Sequence, residues 1–295
     1  MTSAEQPDFI LFGATGFLGS AILAALEKSS YKVLSTGVRL QNRPEIDHLF
    51  DTSPPSLGVI CAAGERGRPN ISWCNHHPVE TVDANITGQL NVAASAYARG
   101  LHVTLLGTGS LYDADPADPN KTFSEADPPN AVNAGVYVAL RRSMEELMNY
   151  FDNVLTLRVL FPVSSDLDAR GLLGKLLRFE RVDRVEVSVT ILEDLCDLIP
   201  QLVKKGLTGP LNFTNPGVVS YAAILELFRS RAPQGSKLAQ LSDSPPKRTA
   251  PRLDVKKLCE AVDSPPPDAT ESVRRILSAF GPQDIAAVLG SRSPL

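Results

Sequence analysis

Cysteine is scarce: four in 295 residues, Cys61, Cys74, Cys196 and Cys259, far apart and without a Cys-x-x-Cys pair. Such spacing supports neither a disulfide framework nor a zinc cluster, so no metal site is expected and a reducing, cytoplasmic setting fits. Long apolar runs are missing as well. Even Leu192 to Val203 is broken by Glu193, Asp194, Asp197 and Pro200, short of the roughly 20 apolar residues that cross a bilayer. Met1 to Pro7 is polar and lacks the basic-then-apolar order of a secretory signal. Nor is there an excess of positive charge: 29 Lys and Arg against 33 Asp and Glu leave a net charge of -4. That balance argues against nucleic-acid and membrane partners and for a small molecule.

What the chain does have is the composition of an ordinary globular protein, 43% hydrophobic and 21% charged. Short apolar runs alternate with longer helical patterns, the signature of repeated βαβ units. Strands are predicted at Asp8 to Phe12, Lys32 to Ser35, Gly58 to Ala62, Val103 to Leu106 and Val154 to Val159. Helices are predicted at Phe17 to Leu26, about Pro78 to Arg99, and Val136 to Asn149, where Tyr137, Leu140, Met144 and Leu147 recur at helical spacing. The fold class is therefore α/β, a Rossmann-type doubly wound parallel sheet over residues 1–162. A smaller substrate lobe over residues 163–295 returns some elements to that sheet. In the lobe Leu172 to Phe179 and Tyr221 to Ser230 read as helices, while Arg231 to Arg252 and Ser264 to Pro267 read as surface loops. No internal repeat is present.

Directly after the first strand comes Gly13-Ala14-Thr15-Gly16-Phe17-Leu18-Gly19. A strand, Gly-x-x-Gly-x-x-Gly and a helix in that order leave backbone N–H groups free at a helix N-terminus, where a pyrophosphate can accept them. The expected contacts to the dinucleotide are Gly13, Thr15, Gly16, Phe17, Leu18 and Gly19, with Ala62 and Ala63 at the end of the third strand. The stretch after the second strand, Thr36 to Arg43, holds Arg39 and Arg43 and no acid. An acid there would bond the ribose 2′-hydroxyl of NAD, whereas arginine accommodates the 2′-phosphate of NADP. NADP(H) is thus favoured, with NAD(H) the alternative.

Asn85 in a helix, Gly107-Thr108-Gly109-Ser110 after a strand, and then Tyr137 follow the glycine turn. This order resembles the extended short-chain dehydrogenase/reductase superfamily, whose usual site is a Ser or Thr with Tyr-x-x-x-Lys. The resemblance implies that Thr108, with Ser110 as rival, bonds the substrate carbonyl. It implies that Tyr137 exchanges a proton with that carbonyl while hydride passes to or from nicotinamide. Here the fourth residue after Tyr137 is Arg141, which keeps a cation on the same helix face but in a planar, permanently charged form. Arg142, at i+5, points elsewhere. Two readings stay open: a reductase with an unusual cation, and a cofactor-binding regulatory or interaction subunit with impaired chemistry, as the methionine adenosyltransferase β subunit illustrates.

More specific stretches span most of the chain. They include Gly67-Arg68-Pro69-Asn70-Ile71-Ser72-Trp73-Cys74, Met144-Glu145-Glu146-Leu147, Leu157-Arg158-Val159 and Asn212-Phe213-Thr214-Asn215-Pro216-Gly217-Val218-Val219-Ser220. Together they resemble the nucleotide-rhamnose synthase/epimerase-reductases. That likeness implies a UDP- or dTDP-linked 4-keto-6-deoxyglucose, epimerised at C3 and C5 and then reduced at C4 with NAD(P)H to nucleotide-linked rhamnose. It makes Cys74 and Lys175 the acid/base pair of epimerisation and puts Arg68, Asn70, Asn85 and Asn215 against the substrate. The wider superfamily also implies a homodimer through the long helices.

Overall fold

Six short strands form one wholly parallel sheet. In spatial order they are Val33–Thr36 (β2), Phe9–Phe12 (β1), Gly58–Cys61 (β3), Val103–Thr108 (β4), Val154–Val159 and Gly209–Asn212. All four residues of β1 and all four of β3 are buried, because helices cover both faces of a parallel sheet and leave no face for polar side chains. The structure is a computed structural model that describes residues 6–68, 70–115, 117–132, 134–243 and 250–290. Pro69, residues 1–5 of the polar start and residues 244–249 of the loop expected after Arg231 lie outside the described residues.

The chain runs from β1 through helix α1 (Phe17–Lys28) to β2 on one side of β1, then through helix α2 (Arg43–Thr52) to β3 on the other. The strand order reverses there, so a crevice opens beyond the carboxyl ends of β1 and β3, where doubly wound sheets take their ligands. Ile22 and Leu26 of α1, four residues apart, bury one face of that helix. Helix α2 begins at Arg43 because Asn42 accepts the Glu45 N–H and Pro44 supplies a preset φ. Arg43, expected in the cofactor loop, is therefore the first residue of a helix.

The single helix expected at Pro78 to Arg99 is interrupted. Helix α3 (Pro78–Val82) passes through one π turn, Asp83–Thr87, into helix α4 (Gly88–Tyr97). Asn85 stands in that π turn, a distortion that often re-aims a side chain at a functional site. Helix α5 (Gly135–Met148) follows, carrying Tyr137 and Arg141. The sixth strand, Gly209–Asn212, lies in the part read as lobe and pairs with Val154–Val159 at the sheet edge. Four residues beginning Gly-Pro are too short a pattern to announce a strand. Helix α6 (Leu172–Arg178) carries Lys175. It shares a separate C-terminal core with Val187, Ile191, Leu225 and Phe228. Among the described residues, no helix is long and apolar enough to cross a membrane.

Candidate functional site

The glycine turn is shaped by what surrounds it. Gly13 has a φ of +78°, and a Cβ there would stand 2.6 Å from the Ala63 backbone nitrogen. A Cβ on Gly19 would collide with the Gly13 carbonyl. These positions tolerate only glycine, which allows strand and helix to close to this distance. Helix α1 starts after Gly16 with no side-chain cap, so its first N–H groups are left for an outside acceptor. A pyrophosphate fits this cradle by charge and by donor geometry. Thr15 is exposed at its rim, and Ala62 and Ala63 form the opposing wall. Arg39 and Arg43 are both exposed beside β2, and Arg43 lies 3.7 Å from Asp47.

Deeper in the crevice, α5 packs against the end of β4. Thr108 is buried at that end, and its Oγ1 accepts the Ser110 N–H at 3.2 Å, so the hydroxyl keeps its own proton to donate. The first turn of α5 is held by Asn75, whose Oδ1 accepts the Val136 N–H at 3.0 Å. The neighbouring Tyr137 is half-buried against a cluster that includes Leu111, Val138 and Leu160. Arg141 is 6% exposed. Its Nη1 donates to Gln89 Oε1 at 3.1 Å and its Nη2 to the Leu106 carbonyl. Arg142 turns outward and pairs with Glu146.

Asn85 is buried, and both ends of its amide hold the Glu65 backbone: Oδ1 accepts the N–H at 3.0 Å and Nδ2 donates to the carbonyl at 2.6 Å. Glu65 Oε1 accepts the Gly67 N–H at 2.6 Å. Gly67 itself has a φ of +76°, with Trp73 too close for any Cβ. Asn70 caps the next turn by accepting the Ser72 N–H at 3.0 Å. Asn215 is buried far along the chain, its amide spent on Ile191, Asp194 and Pro267. Asn70, Asn85 and Asn215 thus build loops where substrate contacts were expected, and Arg68 alone of the four is exposed without such work. Cys74 is wholly buried in the turn that packs on α5, so its thiol presents no surface to a sugar as placed.

Lys175 is half-buried on α6. Burial, and then the nearby Arg66 cation, push its pKa down from 10.5 to about 8. Because the folded pKa is depressed for a base, the folded protein holds fewer protons than the unfolded chain between pH 8 and 10.5, and stability rises with pH across that window. Lys175→Met is therefore expected to raise the melting temperature at pH 7, with the gain shrinking by pH 10. A lower melting temperature at pH 7 would contradict this.

A family model for the NAD dependent epimerase/dehydratase family matches residues 9–162. A bifunctional dTDP-4-dehydrorhamnose 3,5-epimerase/dTDP-4-dehydrorhamnose reductase of Arabidopsis thaliana is 37% identical over 77% of this chain and 76% of its own. The chain belongs to the NAD dependent epimerase/dehydratase family. Within it, the likeness is to nucleotide-rhamnose synthases of the extended short-chain dehydrogenase/reductase superfamily. The L780 UDP-rhamnose synthase of Acanthamoeba polyphaga mimivirus has the same fold, with a TM-score of 0.83, 26% identity, and coverage of 93% of this chain and 100% of that one. A trifunctional UDP-glucose 4,6-dehydratase/UDP-4-keto-6-deoxy-D-glucose 3,5-epimerase/UDP-4-keto-L-rhamnose-reductase of Arabidopsis thaliana is 37% identical over 75% of this chain, which spans 34% of that enzyme's length.

For this family member the sequence pattern named the glycine turn, Thr108, Tyr137 and Arg141; the fold joins Arg141 to β4 through the Leu106 carbonyl and, through Gln89 and Ala63, to the glycine turn. Gln89, Asn75 and Glu65 were missed. Gln89 stands four residues after Asn85, so its face of the helix was readable. Its partners, Arg141 and Ala63, are 52 and 26 residues away, and nothing local announces them.

Proposed function

We propose that this protein is an NADP(H)-dependent 3,5-epimerase and 4-reductase of a UDP- or dTDP-linked 4-keto-6-deoxyglucose, yielding nucleotide-linked rhamnose. The observation that carries the reading is likeness across three quarters of both chains to the plant bifunctional enzyme, in a chain whose Thr108 ends β4 and whose Tyr137 lies on the helix packed against that strand. A nicotinamide dinucleotide, when bound at the glycine turn, would supply the hydride. Thr108 donates its hydroxyl proton as a hydrogen bond to the C4 oxygen, and Tyr137 gives that oxygen a proton as the ketone becomes an alcohol. Hydrogens at C3 and C5 are acidic because the C4 ketone stabilises the enolate left behind. Lys175, with its pKa near 8, holds or releases a proton close to neutral pH and suits that exchange. Cys74 is the family's second group here, and its turn must open for the thiol to take part. Arg39 in the loop after β2 and Arg43 at the start of α2, in a stretch from Thr36 to Arg43 without an acid, support NADP(H) over NAD(H). The non-catalytic reading is set aside, since the plant relative of similar length is an epimerase/reductase and this chain keeps Thr108, Tyr137 and a cation at position 141.

Purified protein supplied with the UDP- or dTDP-keto-sugar in deuterated water is expected to oxidise NADPH faster than NADH and to incorporate deuterium at C3 and C5. Absence of both oxidation and incorporation overturns the proposal. Incorporation without oxidation overturns the reductase half alone.

A further inference from the structure

The cation beside Tyr137 has surroundings built for a guanidinium. The two terminal nitrogens of Arg141 reach acceptors on different elements, Gln89 Oε1 on α4 and the Leu106 carbonyl on β4, while its Nε is buried without a partner among the described residues. The hold on this buried charge therefore rests on two acceptors, and Gln89 is the one that a side chain provides. Gln89 is itself only 1% exposed, and its Nε2 passes the connection on to the Ala63 carbonyl at 3.2 Å. Ala63 is the residue against which Gly13 closes. A continuous line of contacts thus joins the helix of Tyr137 to the dinucleotide turn.

We propose that Gln89 and Arg141 act as one positioning unit for the nicotinamide end of the bound dinucleotide, and that this unit runs on arginine. The inference rests on the cofactor reading above and adds Gln89 to the residues that serve it. Gln89 holds the guanidinium in one orientation on α5, on the helix face that carries Tyr137. A lysine at position 141 does not restore a better site. Its single ammonium nitrogen cannot meet two acceptors on separate elements as a planar fork does, so one buried acceptor is left unpaired.

The test is a double-mutant cycle of wild type, Gln89→Met, Arg141→Lys and the double variant. The measurements are the Kd for NADPH, the Kd for ADP and the melting temperature, all without sugar. ADP carries the adenine half and the pyrophosphate but no nicotinamide riboside. Each single change is expected to weaken NADPH binding about tenfold, the effect of one lost buried hydrogen bond, with the double variant no weaker than the worse single and ADP affinity unchanged within about twofold. Independent, multiplying losses overturn the proposal, as does an equal fall in ADP affinity, which reports general damage. Tighter binding or faster turnover of Arg141→Lys overturns it too. Should Gln89→Met not fold, Gln89→Leu, which also lacks the acceptor, carries the same cycle. A wild type that binds NADPH but reduces no keto-sugar overturns the proposed function and leaves this cycle readable.

Discussion

Replacing Tyr137 by phenylalanine is expected to abolish most ketone reduction while the protein stays folded and keeps exchanging protons at C3 and C5. The ring packs against the cluster containing Leu111, Val138 and Leu160, and phenylalanine fills the same space. Only the hydroxyl is removed. Loss of a general acid at the reacting oxygen lowers rates by about 10²–10⁴-fold, so NADPH oxidation should fall into that range. Deuterium incorporation depends on the enolate and on Lys175 and should stay within a few-fold of wild type. Cofactor absorbance and mass spectrometry of the recovered sugar separate the two. A variant that keeps more than a tenth of the reductase rate would remove Tyr137 from the proton-transfer role.

The second large effect concerns stability. Glu145 lies eight residues beyond Tyr137 and four beyond Arg141, on the same face of α5. Its carboxylate takes the Arg158 Nε at 3.0 Å and Nη2 at 2.5 Å, in a pair whose side chains are 10% and 2% exposed. Arg158 also donates to the Tyr112 hydroxyl at 3.0 Å and to Asn212 Oδ1. Asn212 in turn donates to the carbonyls of Phe123 and Asp254, each at 2.8 Å. One buried network thus ties α5 to the last two strands of the sheet, Val154–Val159 and Gly209–Asn212, and sets how α5 is rotated about its axis. Removing one partner of such a pair strands the other charge in the interior, at about 3–5 kcal/mol. Glu145→Ala should lose that much unfolding free energy in urea, whereas Glu145→Leu combined with Arg158→Met should regain much of it. A loss below about 1 kcal/mol for Glu145→Ala, the level of an exposed ion pair, would show that the charge is not buried in solution.

Both residues of this pair stood in stretches that marked the family resemblance, Met144 to Leu147 and Leu157 to Val159. The pattern carried their identity without their purpose. The same holds for Asn85 and Asn215, expected against the substrate, whose amides here bond the backbone of Glu65, Ile191 and Pro267 and the Asp194 carboxylate, and for Cys74, which is buried. By contrast, Val154–Val159 coincides with its expected bounds, because a short stretch dominated by Val and Leu, bounded by Asp152-Asn153 and Phe161-Pro162, shows its ends in the residues themselves.

What the amino-acid order determined alone is what depends on neighbours within a turn or two. The glycine spacing dictates a phosphate cradle, because φ sign and close approach are local constraints. The i, i+4 relation puts Arg141 on the face of Tyr137. What tertiary structure decided is where each polar group spends its hydrogen bonds, since the partners of Gln89, Glu145, Asn85 and Asn215 lie 13 to 52 residues away. It also decided whether a thiol or an ammonium meets solvent. Burial is a property of the assembled layers and shows in no single segment of the chain.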